Sequence, residues 1–387
     1  MPSRRQGTLV LTTSDYSLDL HMRGMLRDLA GRGTGPVHIA ASDSGRLDRV
    51  ARREGVSAHA VRMRRDTSPL HDLLSLVHLI GLYARLRPAV TVYGTPKAAL
   101  LGAIAAWVTR VPTRIQILHG LRLETVTGLG RRVLLVTEQI ALALSSSTVA
   151  VSASLRDRCA ELGLDVRRVR VLGPGGFVGM DIERLRRAGA DSDAVSRQRR
   201  EMRTDDQAAL IGFAGRVTRD KGIVELLDAV AALRGSGCAV EVALVGEDEG
   251  IDELPARTRS LLQQPWAHLV GAVPDAIEYI AAFDVLCLPS HREGLPTVVL
   301  EAMAAGVPVV ASSATGVIDL VDDHRNGLLV PVGAAVELAI ALREVLDDAA
   351  LRGRLTIEAS SFVESFAEDM VWQRHRSHYA AVQRLTA

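Results

Sequence analysis

The chain has 387 residues, more than one hydrophobic core of ordinary size organises, so its length predicts two domains. Apolar residues make up 48% of the chain and aromatic residues only 3%, which disfavours proteins that stack nucleic-acid bases on aromatic rings. The formal net charge is +1, but residues 1–204 hold 32 basic and 18 acidic side chains, a balance of +14. The remainder holds 14 basic and 27 acidic side chains, a balance of −13.

This charge asymmetry has two interpretations. A basic first half suits an anionic partner, such as a membrane surface or a lipid phosphate, with nucleic acid the least favoured. Alternatively, a basic surface is balanced by an acidic neighbouring domain. The sequence has no apolar run near the roughly 18–20 residues of a membrane span. Its first residues also lack the apolar region and cleavage site of a signal peptide.

The cysteines lie far apart in the sequence, at Cys159, Cys238 and Cys287. Their spacing fits neither a disulfide framework nor a zinc site. The expected compartment is therefore the reducing cytoplasm.

Short apolar runs alternate with helical patterns along the whole chain. In the first half, strands are predicted at residues 8–14, 36–42, 89–93, 114–120, 147–152 and 169–173, with helical patterns between them, as at residues 20–33. The second half repeats this rhythm, with strands predicted at residues 209–217, 240–246, 268–273, 284–290 and 308–314. Such alternation predicts an α/β fold of two doubly wound, Rossmann-like domains, each a parallel sheet covered by helices on both faces.

A glycine-rich segment, GPGGFVGMD at residues 173–181, separates the two halves. We expect the interdomain hinge near residues 173–182, which divides the chain into domains at residues 1–175 and 176–365. Two such domains joined by a hinge form a cleft, a common place for a ligand.

Two carboxylates, Glu293 and Glu301, lie in the segment SHREGLPTVVLEAMAAGVPVV at residues 290–310. The pattern predicts Glu293 in a strand-to-helix loop and Glu301 about two turns into the helix, which has Pro296 in its first turn. That loop lies at the carboxyl end of a parallel sheet, where such folds bind ligands, and the amides of Gly294 and Leu295 lie at the helix N-terminus. A phosphorylated polyhydroxyl ligand, such as a nucleotide sugar, fits these groups. Alternatively, the pair is coincidental and Glu293 only favours the helix dipole.

A second loop, FAGRVTRDKG at residues 213–222, follows the first predicted strand of the second half. Gly215 permits a close backbone turn, and the side chains of Arg216 and Lys221 suit a diphosphate. Lys221 is one of only two lysines in the chain, and its alternative is an ordinary surface position at a helix start. The loop matches neither a Walker A motif nor G-x-G-x-x-G, which disfavours ATP hydrolysis and dinucleotide redox chemistry.

These motifs, together with LVGEDEG and DLVDDHRNGLLVP, resemble the second domain of retaining family-4 glycosyltransferases with the GT-B fold, over about residues 208–350. In the first half, VRMRRDTSPLHDL, RPAVTVYGTPKAALLG and RIQILHGLRLETVTGLGRR resemble the subgroup that acts on polyprenyl-diphosphate-linked sugars. The resemblance implies two Rossmann-like domains facing across a cleft. It also implies that a C-terminal helix, about residues 366–387, packs back onto the first domain.

The resemblance also implies roles for individual residues. Arg216 and Lys221 would bind the donor diphosphate, with Gly215 at the turn. Glu293 would bind hydroxyls of the transferred sugar, and Glu301 would hold the ribose. Backbone amides near the sugar would come from Gly294 and Leu295.

In the first half, the resemblance places His119, in LHG at a strand end, facing the donor sugar. A lone histidine there could equally be an ordinary hydrogen-bonded residue. Glu138 matches an acidic position of the subgroup without an assigned role. The chain departs from the family's pattern in the hinge, where Val178-Gly179-Met180-Asp181 replaces Asn-Gly-Val-Asp, in the segment Gly173–Gly176, which lacks a serine, and in TTSDYS, which lacks paired glycines. The first two departures bear on the acceptor more than on the donor.

The resemblance therefore implies a retaining glycosyltransferase that uses a nucleoside-diphosphate sugar, and uridine is expected as the base only from the family, since nothing in VGEDEG specifies it. Arginine, lysine and a helix N-terminus would stabilise the departing phosphates, so metal independence is expected. The basic run at residues 62–65 beside the apolar stretch at residues 68–86 favours a lipid-diphosphate-linked acceptor at the cytoplasmic face of a membrane. The alternatives are a soluble acceptor such as an aminocyclitol, a nucleotide-sugar epimerase, and a non-catalytic nucleotide-sugar binder.

Overall fold

The computed structural model describes residues 5–32, 35–64, 68–124 and 126–386. The chain divides into two compact units. The first unit contains the described residues up to Gly179 together with those from Glu368 onward, and the second is Met180–Ala367. The division after Gly179 falls inside the glycine-rich segment 173–182 and a few residues beyond the expected boundary at 175.

The first unit contains a seven-stranded sheet in the order β3-β2-β1-β4-β5-β6-β7, with neighbouring strands parallel. Its strands are β1 (Thr8–Ser14), β2 (Val37–Ser42), β3 (Ser57–Ala60), β4 (Val90–Tyr93), β5 (Thr113–Leu118), β6 (Ser147–Ala150) and β7 (Val169–Arg170). The helices of this unit are α1 (Asp15–His21), α2 (Met25–Gly31), α3 (Leu47–Glu54), α4 (Pro69–Leu86), α5 (Pro96–Val108), α6 (Gly128–Leu144), α7 (Ala153–Glu161) and α16 (Glu368–Thr386).

The helical pattern predicted at residues 20–33 is divided between the end of α1, which begins at Asp15, and the whole of α2. The break falls at Met22–Gly24, where Gly24 has φ +79°, a conformation that favours glycine. A Cβ on Gly24 would lie 2.6 Å from the ring of Trp372, so the indole packs directly on this turn.

The second unit contains a six-stranded sheet in the order β10-β9-β8-β11-β12-β13, again with parallel neighbours. Its strands are β8 (Ala209–Ala214), β9 (Val240–Val245), β10 (Ala267–Gly271), β11 (Val285–Leu288), β12 (Val309–Ser312) and β13 (Leu328–Val330). The helices are α8 (Ile182–Ala190), α9 (Ser192–Glu201), α10 (Ile223–Gly235), α11 (Ala256–Leu262), α12 (Ile277–Ala281), α13 (Thr297–Ala304), α14 (Ala335–Asp347) and α15 (Ala349–Phe362).

The core of the second unit lies around its central strands. Every residue of β9, β11 and β12 is buried, as expected for valine- and leucine-rich strands covered by helices on both faces. Cys287 is among these buried residues, and burial raises the pKa of its thiol beyond its usual range. The central strands therefore provide a rigid base for the loops at their carboxyl ends.

Helix α16 packs on the first unit through buried polar contacts. His375 is 1% exposed, and its Nε2 donates a hydrogen bond of 3.0 Å to the carbonyl oxygen of Gly176. Burial lowers the pKa of His375 to about 4, so its ring is neutral at physiological pH. Trp372 Nε1 donates to the carbonyl oxygen of Val178 over 2.7 Å, and Arg376 pairs with Asp28. These contacts hold the last helix against residues at the start and end of the first unit.

Among the described residues, no helix is both long and apolar enough to cross a lipid bilayer. The three cysteines are unpaired thiols.

Candidate functional site

The loop between β11 and α13 holds Glu293, as the sequence predicted from its position between a strand and a helix. The backbone N–H of Glu293 donates to the carbonyl oxygen of Thr315 over 3.2 Å. Gly316, at φ +79°, lies so close that an added Cβ would be 2.3 Å from the carbonyl oxygen of Gly294. The loop that follows β12 therefore supports the loop that carries Glu293 and Gly294, and only glycine fits at position 316.

Helix α13 begins at Thr297, with Pro296 as the residue that precedes its first turn rather than within it. Leu295, just before this start, packs against the core of the second unit. Glu301 is the fifth residue of the helix and is half-buried, so it lies little more than one turn into α13, not two. Burial raises the pKa of Glu301, and a hydrogen bond from Thr297 and the charge of Arg184 offset only part of that rise.

The loop between β8 and α10 carries Arg216 and Lys221, and glycines fix its path. Gly215 has φ +154°, and a Cβ on Gly246, at the end of β9, would lie 1.8 Å from the Gly215 carbonyl oxygen. Gly222 has φ +74°, and a Cβ there would lie 2.0 Å from the carbonyl oxygen of Pro289. The loop is therefore pressed against the carboxyl ends of β9 and β11.

This packing brings Lys221 to Glu293. Lys221 Nζ lies 2.6 Å from Glu293 Oε1, and the two side chains are only 17% and 12% exposed. The residues are far apart in sequence, and the sequence analysis assigned a role to each of them without predicting their contact. The Lys221 ammonium and the Glu293 carboxylate therefore lie side by side near the start of α13. The ammonium can bind a phosphate and the carboxylate can accept a hydrogen bond from a sugar hydroxyl.

Arg216 is paired with a residue that the sequence left without a role. Its Nη1 lies 2.5 Å from Oε2 of Glu249, in the loop after β9, and the two side chains are 50% and 28% exposed. The pKa of Arg216 is raised: burial alone lowers it, but the Glu249 carboxylate and the charges of Asp220 and Glu293 more than compensate. Three carboxylates therefore act on this guanidinium.

Asp220 connects the loop between β8 and α10 to the loop between β11 and α13 through hydrogen bonds. Its carboxylate accepts hydrogen bonds from the Thr218 hydroxyl over 2.6 Å and from Arg292 Nη2 over 2.8 Å. Its backbone carbonyl accepts from the N–H of His291 over 2.9 Å. Burial raises the pKa of Asp220, but the bond from Thr218 and the charge of Arg292 lower it further, so the net shift is downward. Asp220 is thus a fixed anion whose partners lie on both loops.

Asp220, Arg292, Glu249 and Gly316 are the residues that sequence reasoning missed. Arg292 directly precedes Glu293, but nothing local shows that its partner is Asp220, 72 positions earlier. Glu249 lies in VGEDEG, which the sequence analysis noted only as part of a motif.

His119 lies in the first unit, exposed, directly after β5. Its ring makes an edge-to-face contact with Phe177 at 5.1 Å between centroids, and Phe177 makes the same contact with His375. A Cβ on Gly94, just after β4, would lie 2.7 Å from His119 Nε2. Gly94 and Phe177 therefore hold the imidazole at the carboxyl end of β5.

Glu138 is half-buried on α6, in the same unit. Its Oε2 lies 3.5 Å from Nε2 of Gln116, a fully buried side chain in the middle of β5. Burial raises the pKa of Glu138 to about 7. Burial also raises the pKa of the Cys159 thiol to about 12, with a contribution from the Glu138 charge. The structure thus places Glu138 inside the first unit, against its sheet.

Comparison with known proteins gives two family matches and several relatives. Residues 208–348 match the family described as glycosyl transferases group 1, and residues 19–175 match the glycosyl transferase 4-like domain. The chain is 32% identical over 381 residues, 97% of each protein, to the capsular polysaccharide biosynthesis glycosyltransferase CapM of Staphylococcus aureus. It is 25% identical over 292 residues to the N,N'-diacetylbacillosaminyl-diphospho-undecaprenol alpha-1,3-N-acetylgalactosaminyltransferase of Campylobacter jejuni, covering 74% of this chain and 75% of that protein.

Among solved structures, the chain is similar to Anabaena HepE in complex with UDP-glucose, with a TM-score of 0.79 and 20% identity over 97% of this chain and 100% of that one. The likeness confirms the two-domain, Rossmann-like GT-B fold that the sequence predicted.

Proposed function

This chain belongs to the glycosyltransferases, and we propose that it transfers a sugar from a nucleoside-diphosphate sugar to a lipid-diphosphate-linked saccharide during the assembly of a cell-envelope glycan. CapM is named for capsular polysaccharide, and the Campylobacter relative is named for a diphospho-undecaprenol acceptor. Those names support the class of acceptor. The base is proposed to be uridine, since the HepE structure holds UDP-glucose.

The contact between Lys221 and Glu293 is the observation that carries the donor half of this proposal. A diphosphate needs cations and a sugar needs hydrogen-bond acceptors, and these two side chains offer both within 2.6 Å. In the proposed complex, Arg216 and Lys221 bind the phosphates and Glu293 accepts from sugar hydroxyls. The amides of Gly294 and Leu295 lie at the start of α13 beside them, and Glu301 accepts from the ribose hydroxyls.

The proposed reaction retains the configuration of the anomeric carbon. The bond from that carbon to the diphosphate breaks, the acceptor hydroxyl attacks from the same face, and its proton passes to a departing phosphate oxygen. The transition state resembles an oxocarbenium ion beside a leaving diphosphate, so the charges of Arg216 and Lys221 act where negative charge develops. Glu293 positions the sugar and is not a nucleophile. His119 is proposed to face the donor sugar from the first unit.

The lipid half of the proposal rests on exposed apolar side chains of the first unit. Helix α4 exposes four apolar side chains at helical spacing on one of its faces, and helix α6 exposes another four at helical spacing on one of its own. Helix α5, which packs against both α4 and α6, exposes two more at its end. We call these ten residues the apolar surface: Leu70, Leu73, Leu74, Val77, Trp107, Val108, Leu129, Val133, Val136 and Ile140.

Basic residues accompany this apolar surface. Arg62 and Arg64 are exposed just before α4, and Arg131 and Arg132 are exposed on α6. Exposed apolar side chains beside arginines are typical of proteins that rest on anionic bilayers. The proposed enzyme therefore works at the cytoplasmic face of a membrane, as a peripheral protein.

The test incubates the protein with bacterial membranes and a panel of radiolabelled nucleotide sugars, and follows label into the organic-extractable phase. Label from one donor in that phase, absent with Lys221→Ala, supports the proposal and identifies the sugar. Release of nucleoside diphosphate without label in the organic phase means that the acceptor is soluble. Absence of release with every donor contradicts transferase activity and leaves the epimerase or the non-catalytic binder.

A further inference from the structure

The two cations proposed to bind the donor's phosphates are already paired with carboxylates of the chain itself, as is the neighbouring Arg292. Arg216 pairs with Glu249, Lys221 with Glu293, and Arg292 with Asp220. A nucleoside diphosphate brings at least two further negative charges, and like charges close together at a partly buried site repel each other strongly. Some of these carboxylates must therefore move when phosphate binds.

The three carboxylates differ in how firmly they are held. Asp220 is fixed between Thr218 and Arg292, and these partners keep it ionised although burial alone would raise its pKa. Glu249 lies on the loop after β9, beside the 3₁₀ turn Ile251–Glu253, and is 28% exposed, while its partner Arg216 is half exposed. A carboxylate on an exposed loop regains hydration when it swings away, so Glu249 is the one that leaves at least cost.

Glu293 differs from Glu249, because its carboxylate is proposed to bind the sugar hydroxyls in the donor complex. In the structure, one of its oxygens is held by Lys221 at 2.6 Å. A phosphate oxygen that binds Lys221 weakens this hold, so that both oxygens of Glu293 become available to sugar hydroxyls. Phosphate binding at Lys221 thus prepares the sugar site.

We infer that Glu249 is an internal competitor of the donor's diphosphate for Arg216, and that phosphate binding displaces Glu249 from Arg216 while it releases Glu293 from Lys221 for the sugar. This inference rests on the proposed function of the site. Glu249 is then a residue that sets donor affinity without touching the bound donor. Its carboxylate keeps the empty site neutral and limits how tightly the product nucleotide is retained.

The experiment measures binding of UDP and GDP by titration calorimetry to the full chain and to Glu249→Gln. The substitution keeps the shape of the side chain and removes its charge. Since a partly exposed ion pair is worth up to about 1 kcal/mol, Glu249→Gln is expected to bind the nucleotide about threefold to fivefold more tightly. Glu253→Gln, which removes the same charge from an exposed position nearby, is expected to change the affinity less than twofold.

Inorganic pyrophosphate, which has neither base nor ribose, is titrated in parallel. The same tightening with pyrophosphate supports competition at the phosphates, and tightening with UDP alone would overturn it. Unchanged or weaker nucleotide binding by a folded Glu249→Gln protein would also overturn the inference, because Glu249 would then orient Arg216 instead of competing for it. If the unsubstituted protein binds no nucleoside diphosphate, the proposed function itself fails.

Discussion

Gly222 and Pro289 meet so closely that a methyl group on Gly222 would lie 2.0 Å from the carbonyl oxygen of Pro289. This contact joins the loop that carries Lys221 to the strand end that precedes Glu293. The spacing of these two proposed ligand-binding side chains therefore depends on a residue that has no side chain.

Replacing Gly222 by alanine is expected to disrupt this contact. The residue has φ +74°, which costs a side chain about 1 kcal/mol, and the clash with backbone adds to that cost. We expect a loss of about 2–4 kcal/mol in the free energy of unfolding, together with weaker UDP binding, measured by denaturant unfolding and calorimetry. Gly237→Ala is the matched control, because its φ is +89° but a Cβ there would meet nothing within 4 Å in the described part of the chain. Equal losses in the two variants would contradict the role given to the Pro289 contact.

Replacing Lys221 by alanine is expected to weaken UDP binding about 10- to 100-fold, because a charge-assisted bond to phosphate is worth about 1.5–3 kcal/mol. Transfer should fall at least as far. Lys97→Ala provides the control: Lys97 is the other lysine, it pairs with Asp72 over 2.7 Å, and its side chain is 15% exposed, close to the 17% of Lys221. It lies in the first unit, so we expect its loss to leave UDP binding unchanged. Comparable effects on UDP binding in the two variants would remove Lys221 from the donor site.

Glu138 is expected to make the first unit less stable as pH rises. Its pKa is about 7 in the folded protein against an ordinary 4.5, so the folded state holds the proton more tightly than the unfolded state. The stability gained from this proton is fully present below about pH 4.5 and is lost as pH rises through 7, by about 3 kcal/mol in total. Glu138→Gln should therefore unfold at a higher temperature than the parent protein at pH 8, with a much smaller advantage at pH 5. Glu161→Gln, at a 63% exposed position of α7, should show no such dependence. A constant difference between parent and Glu138→Gln across this pH range would rule out titration of Glu138.

The apolar surface is expected to bind membranes. The double substitution Leu70→Glu and Leu74→Glu should reduce co-sedimentation with phosphatidylcholine–phosphatidylglycerol vesicles by at least about tenfold, because each buried leucine contributes about 1.5 kcal/mol or more. Val336→Glu with Ile340→Glu is the matched control. These two residues lie four apart on α14 of the second unit and are 69% and 62% exposed. If both double variants sediment like the parent protein, the apolar surface is not the membrane contact.

Much of the fold could be predicted because parallel strands covered by helices on both faces consist of consecutive apolar residues, which are visible in the sequence. The strands that the sequence missed show the limit of that signal. β3 is SAHA, with no large apolar side chain, and β13 has only three residues. Both lie at the edge of their sheet, where pairing with one neighbour defines a strand that composition does not.

In the candidate site, likewise, features set by neighbouring residues could be predicted and features set by distant residues could not. Loop positions of Arg216, Lys221 and Glu293 could be predicted, since each follows a recognisable strand. Their partners could not, because the pairs of Asp220 with Arg292 and of Arg216 with Glu249 join separate loops. Such contacts are set by which strand ends become neighbours, and the order β9-β8-β11 in the sheet is a property of the folded chain.

The position of α16 has a consequence for biosynthesis. A ribosome makes all of Met180–Ala367 before it makes α16, which supplies the buried His375 and the Arg376 pair to the first unit. The second unit is continuous in sequence and is complete as it emerges, whereas the first unit waits for its final helix. During that interval the nascent first unit exposes the surface that α16 later covers. The first unit is synthesised before the second, but it is completed later. During synthesis it would therefore be the more accessible of the two units to chaperones and proteases.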